Sequence, residues 1–189
     1  ESRGLGDVYK RQDFLETWGR PVENARRLSE SNAFDGKTKT ELVHLSPHVS
    51  LTGAKADRWV VINPGSEAMV ALSIASVIRD QKGGYDFLSG MLAAFAPEKV
   101  AEATGVPAKK MKELAQNFTE NSPGLALGGG PSSRNSNLTS LHVAINILNA
   151  VSGNLGKTVF FHDQPAPENT SHHNLVQLIE DLKAGKVEL

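Results

Sequence analysis

None of the 189 residues is a cysteine. The chain therefore carries no disulfide, no thiolate metal site, no iron–sulfur cluster of its own and no cysteine nucleophile. It also lacks an excess of charge. Twenty Lys and Arg against twenty-one Asp and Glu leave a net charge of −1. Nucleic acid as the main partner is thereby disfavoured, because phosphate neutralisation needs a basic surplus. No apolar run reaches the roughly 18 residues that a membrane helix requires. No signal-peptide pattern stands at the start. The zinc motif HExxH and the hydrolase elbow GxSxG are missing as well.

What remains is enough for a packed core. Hydrophobic residues make up 39% of the chain and charged residues 22%, which suits one ordinary domain or a piece of a larger one. The first twelve residues, ESRGLGDVYKRQ, read as foreign to the rest, in the manner of translated adapter sequence, or else as a polar arm. They are set aside from the fold, and 13–189 is taken as the domain. The other end, KVEL at 186–189, reads as a strand beginning. The expectation is a fragment cut at both ends.

Along the chain, short apolar runs bounded by turn residues alternate with helical patterns. Pro21 opens a helix over 21–33. Leu42, Val43 and Leu45 form a strand closed by Ser46 and Pro47, and 59–62 forms another, closed by Asn63, Pro64 and Gly65. Ser66 caps a helix that is apolar on nearly every side, as expected of one buried between layers. Further helical sections are expected over 85–95, 97–103 and 107–119. A strand at 125–127 runs into three glycines. A helix over 138–151, an extended piece at 158–161 and a last helix over 171–184, stopped by Gly185, complete the pattern. Loops are expected at 131–137 and 162–170. The fold class is α/β, with a mainly parallel sheet, helices on both faces, and a place in a larger domain.

Candidate chemistry is sparse. The stretch SGNLGKT at 152–158 ends as a phosphate-binding loop does, but five residues before Gly156 stands Val151 where such a loop needs glycine. A helix precedes it and an extended piece follows, the reverse of the required order. It reads as a helix stop at Gly153. The stretch NPGSE at 63–67 joins a strand to a helix, where α/β sheets bind ligands. It is either an ordinary helix start, with Ser66 as cap and Glu67 favouring the dipole, or an anion and base-edge site. Gly128, Gly129 and Gly130 allow a backbone to approach a ligand or simply form a turn, and they lack GxGxxG spacing. The carboxylates of Asp13 and Glu16 either line a cleft or are solvated. Six histidines (His44, His48, His142, His162, His172 and His173) show no metal-binding spacing; the adjacent pair faces different directions on its helix. No catalytic residue and no metal ligand is assigned.

Taken together, these stretches resemble a family. HLSPHVSLTGAKADRWVVINPGSEAMVALSIASVI at 44–78 resembles a segment of molybdopterin oxidoreductases, in which a strand ends in an acidic-Pro-Arg turn, followed by Thr-x-x-x-Ala-Asp, a strand and Pro-Gly-Thr-Asp/Glu. PEKVAEATGVPAKKMKELAQNF at 97–118 looks like the helical linker that follows. LALGGG at 125–130, LNAVSGNLGK at 148–157 and LIEDLKAGKVEL at 178–189 resemble later landmarks in the same order. DFLETW with SLTGAKADRW looks closest to one branch, the large iron–sulfur subunit of quinol:cytochrome c oxidoreductase, or alternative complex III.

The resemblance implies a cofactor position. Cofactor-bearing relatives hold the guanine dinucleotide arm of a molybdopterin at the strand-end turns. By motif these are Ser46, Pro47 and His48, then Pro64, Gly65, Ser66 and Glu67, and more loosely Gly128, Gly129 and Gly130. Ser46 stands where the family has a carboxylate and His48 where it has arginine. A hydroxyl cannot accept two donors from guanine as a carboxylate does, and a histidine lacks the permanent charge of arginine. Binding is weakened, in keeping with a branch thought to lack the cofactor. The same resemblance implies iron–sulfur clusters outside this stretch, and partner subunits of a membrane-associated bacterial respiratory complex, on its periplasmic face. A free-standing nucleotide-binding module is the rival from another class. Cut mid-sheet, segment 13–189 is expected to fold poorly alone, because unpaired strand edges are exposed; a cooperative melt with a nucleotide-dependent shift would contradict this.

Overall fold

The computed structural model describes residues 8–11, 14–16, 20–32, 40–129, 137–161 and 172–186, with the backbone alone for 8–11 and 172–175. Four strands form one parallel sheet: β1 (Val8–Arg11), β2 (Leu42–Ser46), β3 (Arg58–Val61) and β4 (Leu125–Gly128). Their order is β3-β2-β1-β4. Parallel neighbours cannot be joined by a tight turn, so every step needs a crossover. Helix α1 (Pro21–Ser31) joins β1 to β2, and α2 (Leu51–Lys55) joins β2 to β3. The return past β2 and β1 to β4 uses α3 (Glu67–Lys82), a short 3-10 turn at Asp86–Leu88, α4 (Ser89–Ala93), α5 (Pro97–Thr104) and α6 (Ala108–Glu120). Helices α7 (Leu138–Ser152) and α8 (His172–Lys183) follow.

The direction of travel reverses after β3. Right-handed crossovers then place α2 on one face, packed on β2 and β3, and the later helices on the other, while α1 buries no residue. Alternation along β2 agrees with this. Val43 and Leu45 join the core with α3 and α7, while His44 faces Ser50, the residue that caps α2. All five β2 residues are buried, as in a strand covered on both sides. Helix α3 is the centre of the core. Val70, Ile74, Ala75 and Ile78 pack with Met111, Leu114 and Phe118 of α6 and Leu148 of α7. Burying each large aliphatic side chain contributes about 1.5–3 kcal/mol.

Polar groups hold the ends of the sheet. At its N-terminal end, the Leu42 N–H donates to Asp57 Oδ2 at 2.9 Å and the Asp57 N–H donates to the Leu42 carbonyl at 2.9 Å. Glu41 pairs with Arg58 and accepts from Asn117 Nδ2 at 2.9 Å, tying β2, β3 and α6 together. At the β4 edge, the Asn149 side chain acts as a substitute strand. Its Oδ1 accepts the Ala126 N–H at 2.9 Å and its Nδ2 donates to the Ala126 carbonyl at 2.8 Å.

Two expectations need correction. Residues 1–12 were set aside, yet Val8–Arg11 forms the central strand; pairing in a sheet uses backbone groups, which every non-proline residue carries. Helix α2 was missed: five residues are too few for a periodicity signal, and Ser50, whose Oγ accepts the Gly53 N–H at 3.2 Å, was its one local mark. Residues 158–161, read as an extended piece, contribute one bridge residue and no named strand. Instead the Asn154 carbonyl accepts the N–H groups of Lys157, Thr158 and Val159, and one bridge links Leu155 to Val159. Gly185 does stop α8, with φ 65°. The loop calls at 131–136 and 162–170 lie outside the described residues, as does the strand beginning at 187–189.

Asn149→Ala strands a buried N–H and a buried C=O. We expect a loss of about 2–4 kcal/mol in denaturant unfolding. Asn149→Asp keeps an acceptor for the N–H but presents the Ala126 carbonyl with no donor, so it too is destabilising.

Candidate functional site

Because the sheet is parallel, its four C-terminal strand ends lie on one side. The connections leave β1 toward β2 on one flank and come back to β4 on the other, so the switch point lies between β1 and β4. The turns named from sequence are brought to this side: Ser46, Pro47 and His48 after β2, Pro64 to Glu67 after β3, and Gly128 and Gly129 at the end of β4. Gly130 lies outside the described residues.

The hydrogen bonds of these turns run inward. Ser46 is buried; its hydroxyl donates to the His48 carbonyl at 2.5 Å. Trp59 Nε1 donates to Ser46 Oγ at 3.1 Å and to the Ser46 carbonyl at 3.3 Å. His48 itself is exposed. In the second turn, Ser66 Oγ makes no capping bond to α3; it donates backward to the Asn63 carbonyl at 2.6 Å. Glu67, almost fully buried, accepts the Gly65 N–H through Oε1 at 3.0 Å. Asn63 fastens the turn to the end of α5, with its N–H on the Thr104 carbonyl at 2.8 Å and its Nδ2 on the Ala103 carbonyl at 3.0 Å.

The glycines serve packing. A methyl group on Gly128 would lie 2.5 Å from Ile145 Cγ1 and 3.4 Å from Leu141 Cγ, so α7 can approach β4 only because that side chain is absent. Gly129 sits at φ 69° beside His142. The cleft below the turns is apolar, lined by Leu45, Ile62, Val70, Leu141 and Ile145, with Glu67 as its carboxylate. Among the described residues no group of three His, Asp or Glu side chains is placed to hold a metal ion. No described helix is long and apolar enough to cross a membrane.

Elsewhere, SGNLGKT is a helix stop. Gly153 takes φ 79°, its N–H donates to the Ala150 carbonyl at 3.0 Å, and the Asn154 N–H donates to the Asn149 carbonyl at 3.0 Å. The amides of Lys157 and Thr158 point at the Asn154 carbonyl, so they form no phosphate cradle. Glu16, left open between a cleft and solvent, instead accepts the Leu51 N–H at the start of α2. One contributor escaped the sequence reading, Trp59; Asn63 was named within its turn but not as the group that ties it to α5. Trp59 stood within the quoted motif, but only the register of β3 against β2 aims its indole at Ser46.

The fold and the crevice define a class: a parallel α/β domain with a crevice at its C-terminal strand ends. Comparisons narrow it. No family model matches the chain. A 107-residue stretch is 33% identical to "Menaquinone reductase, molybdopterin-binding-like subunit" of Nitratidesulfovibrio vulgaris, covering 54% of this chain and 16% of that protein. A 107-residue stretch is 29% identical to "Probable oxidoreductase YoaE" of Bacillus subtilis, covering 50% of this chain and 16% of that one. The chain thus spans about a sixth of the length of these relatives. Among solved structures, acetylene hydratase from Pelobacter acetylenicus shares the fold with a TM-score of 0.65 at 21% identity, over 80% of this chain and 21% of that one. The likeness to molybdopterin oxidoreductases, read first from the motifs, is thus met again in a sequence relative, and the solved structure adds a likeness of fold.

Gly128→Ala is expected to cost about 1–3 kcal/mol through overpacking against Ile145. A chemical melt measures it. An unchanged midpoint would return Gly128 to the role of ligand approach.

Proposed function

We propose that this chain is part of a molybdopterin-oxidoreductase-type subunit of a bacterial respiratory electron-transfer complex, and that its strand-end crevice is a scaffold that holds no pterin. The observation that carries this reading is the state of Ser46. In the family pattern a carboxylate stands there to take two donors from guanine. Here a buried hydroxyl stands in its place, already donating to His48 and accepting from Trp59. Glu67, the second polar group of the crevice, is engaged with Gly65. These residues do not fit a guanine dinucleotide arm, since binding it would break internal bonds and return one hydroxyl contact for a bidentate pair.

The relative named as a molybdopterin-binding-like subunit of a menaquinone reductase supports the same reading, quinone-linked and multi-subunit. On this reading the iron–sulfur centres lie in other parts of the assembly, and the membrane is reached through partner subunits at the periplasmic face. The oxidoreductase class comes with the family, while the residues of this stretch supply no step of the chemistry.

A second reading keeps an active enzyme in which these turns bind the dinucleotide. It is favoured by the gathering of all three turns on the C-terminal side of the sheet. Guanosine diphosphate, the phosphate-bearing end of that arm, separates the two readings. Titrated into the full chain, it is expected to produce no saturable heat and no melting shift up to about 1 mM. A shift that disappears in Glu67→Ala would establish the second reading. Ser46→Asp with His48→Arg restores the family pattern and is expected to bring measurable binding.

A further inference from the structure

Helix α1 buries no residue, although Ala25 and Leu28, three positions apart, share one side of it. A cavity of about 510 Å³ opens between α1 and α2. Its apolar walls are Leu15, Ala25, Leu28 and Leu51. Hydrogen bonds frame it. Asn24 Nδ2 donates to the Phe14 carbonyl at 3.0 Å and ties α1 to residues 14–16. The Leu15 N–H donates to Thr52 Oγ1 at 3.4 Å, and Glu16 accepts the Leu51 N–H, which ties 14–16 to α2.

Three polar residues, Ser29, Asn32 and Lys55, complete the lining. None of their side chains makes a hydrogen bond or ion pair with another described residue. The strand-end crevice is the opposite case, since the Ser46 and Ser66 hydroxyls there are bonded within their turns. Small-molecule sites enclose roughly 300–1,000 Å³ and combine apolar walls with a few polar groups. Here Lys55 is the one charged residue on the lining. Glu16 is turned to Leu51 and does not line the cavity. A lysine favours an anion, and the Ser29 hydroxyl and Asn32 amide add uncharged donors. Leucine walls favour an aliphatic body.

We infer that the cavity between α1 and α2 is a binding site for a small amphipathic anion, an aliphatic monocarboxylate of medium length. Its carboxylate lies at Lys55 and its chain against Leu15, Leu28 and Leu51. This site shares no lining residue with the crevice, so it stands or falls separately from the scaffold reading.

Sodium decanoate, kept below its micelle threshold, is the probe. Titrated calorimetrically into the full chain, it is expected to saturate one site per chain below about 1 mM. Decanol, with the same body and no charge, is expected to bind about tenfold more weakly. Lys55→Gln is expected to weaken decanoate about tenfold and to leave decanol unchanged. Ala25→Trp fills the space and is expected to remove binding of both, with the melting midpoint of the unliganded variant as its check on folding. If that midpoint falls, Leu28→Gln takes its place and is expected to weaken both ligands. No saturable binding to the parent chain overturns the site. Several weak equivalents per chain, unchanged in the wall variants, mean adsorption to the surface and overturn it too. Equal affinity for decanoate and decanol, or for decanoate in the parent and in Lys55→Gln, overturns the assignment of an anion.

Discussion

Parallel pairing is the constraint on which the rest of this molecule depends. Four strands running the same way cannot be joined by hairpins, so the chain must cross a face of the sheet at each step. The step from β3 to β4 is the largest, because it passes two strands. Helices α3 to α6 occupy it, and α3 becomes the axis of the core. The same constraint collects the four strand ends on one side and opens a crevice where the connections diverge. Fold and candidate site are two results of one topological rule.

Satisfaction of backbone groups decides the details. Edges and ends that a sheet leaves open are closed here by side chains. Asn149 stands in for a fifth strand at Ala126, Asp57 seals the start of β2, and Asn63 ties its turn to α5. The crevice follows the same logic. Ser46, Ser66 and Glu67, the polar groups a nucleotide would want, are spent on their own turns. A site that binds must hold donors and acceptors in reserve. This one has committed the Ser46 and Ser66 hydroxyls to their own turns, and that is the ground on which a scaffold is proposed.

Much of the fold was legible. The apolar runs at 42–45, 59–62 and 125–127 announced three strands, and Pro21, Pro97 and Gly185 marked helix ends that the structure places within a residue or two. Failures came where local signal is weak. Helix α2 is too short for periodicity, and its cap at Ser50 was its one local mark. The candidate turns were legible as strand ends, whereas the backward turn of the Ser66 hydroxyl and the reach of Trp59 to Ser46 depend on register.

The sequence by itself determined the class of fold, the exclusion of thiolate chemistry and the likeness to molybdopterin oxidoreductases, because composition, turn residues and motif order are written along the chain. SGNLGKT was dismissed as a phosphate loop by spacing alone. Only the tertiary structure decided what the polar groups in the crevice are bound to and why Gly128 must lack a side chain. Those outcomes depend on contacts between segments far apart in sequence, and strand register, which no local pattern encodes, sets which atoms meet.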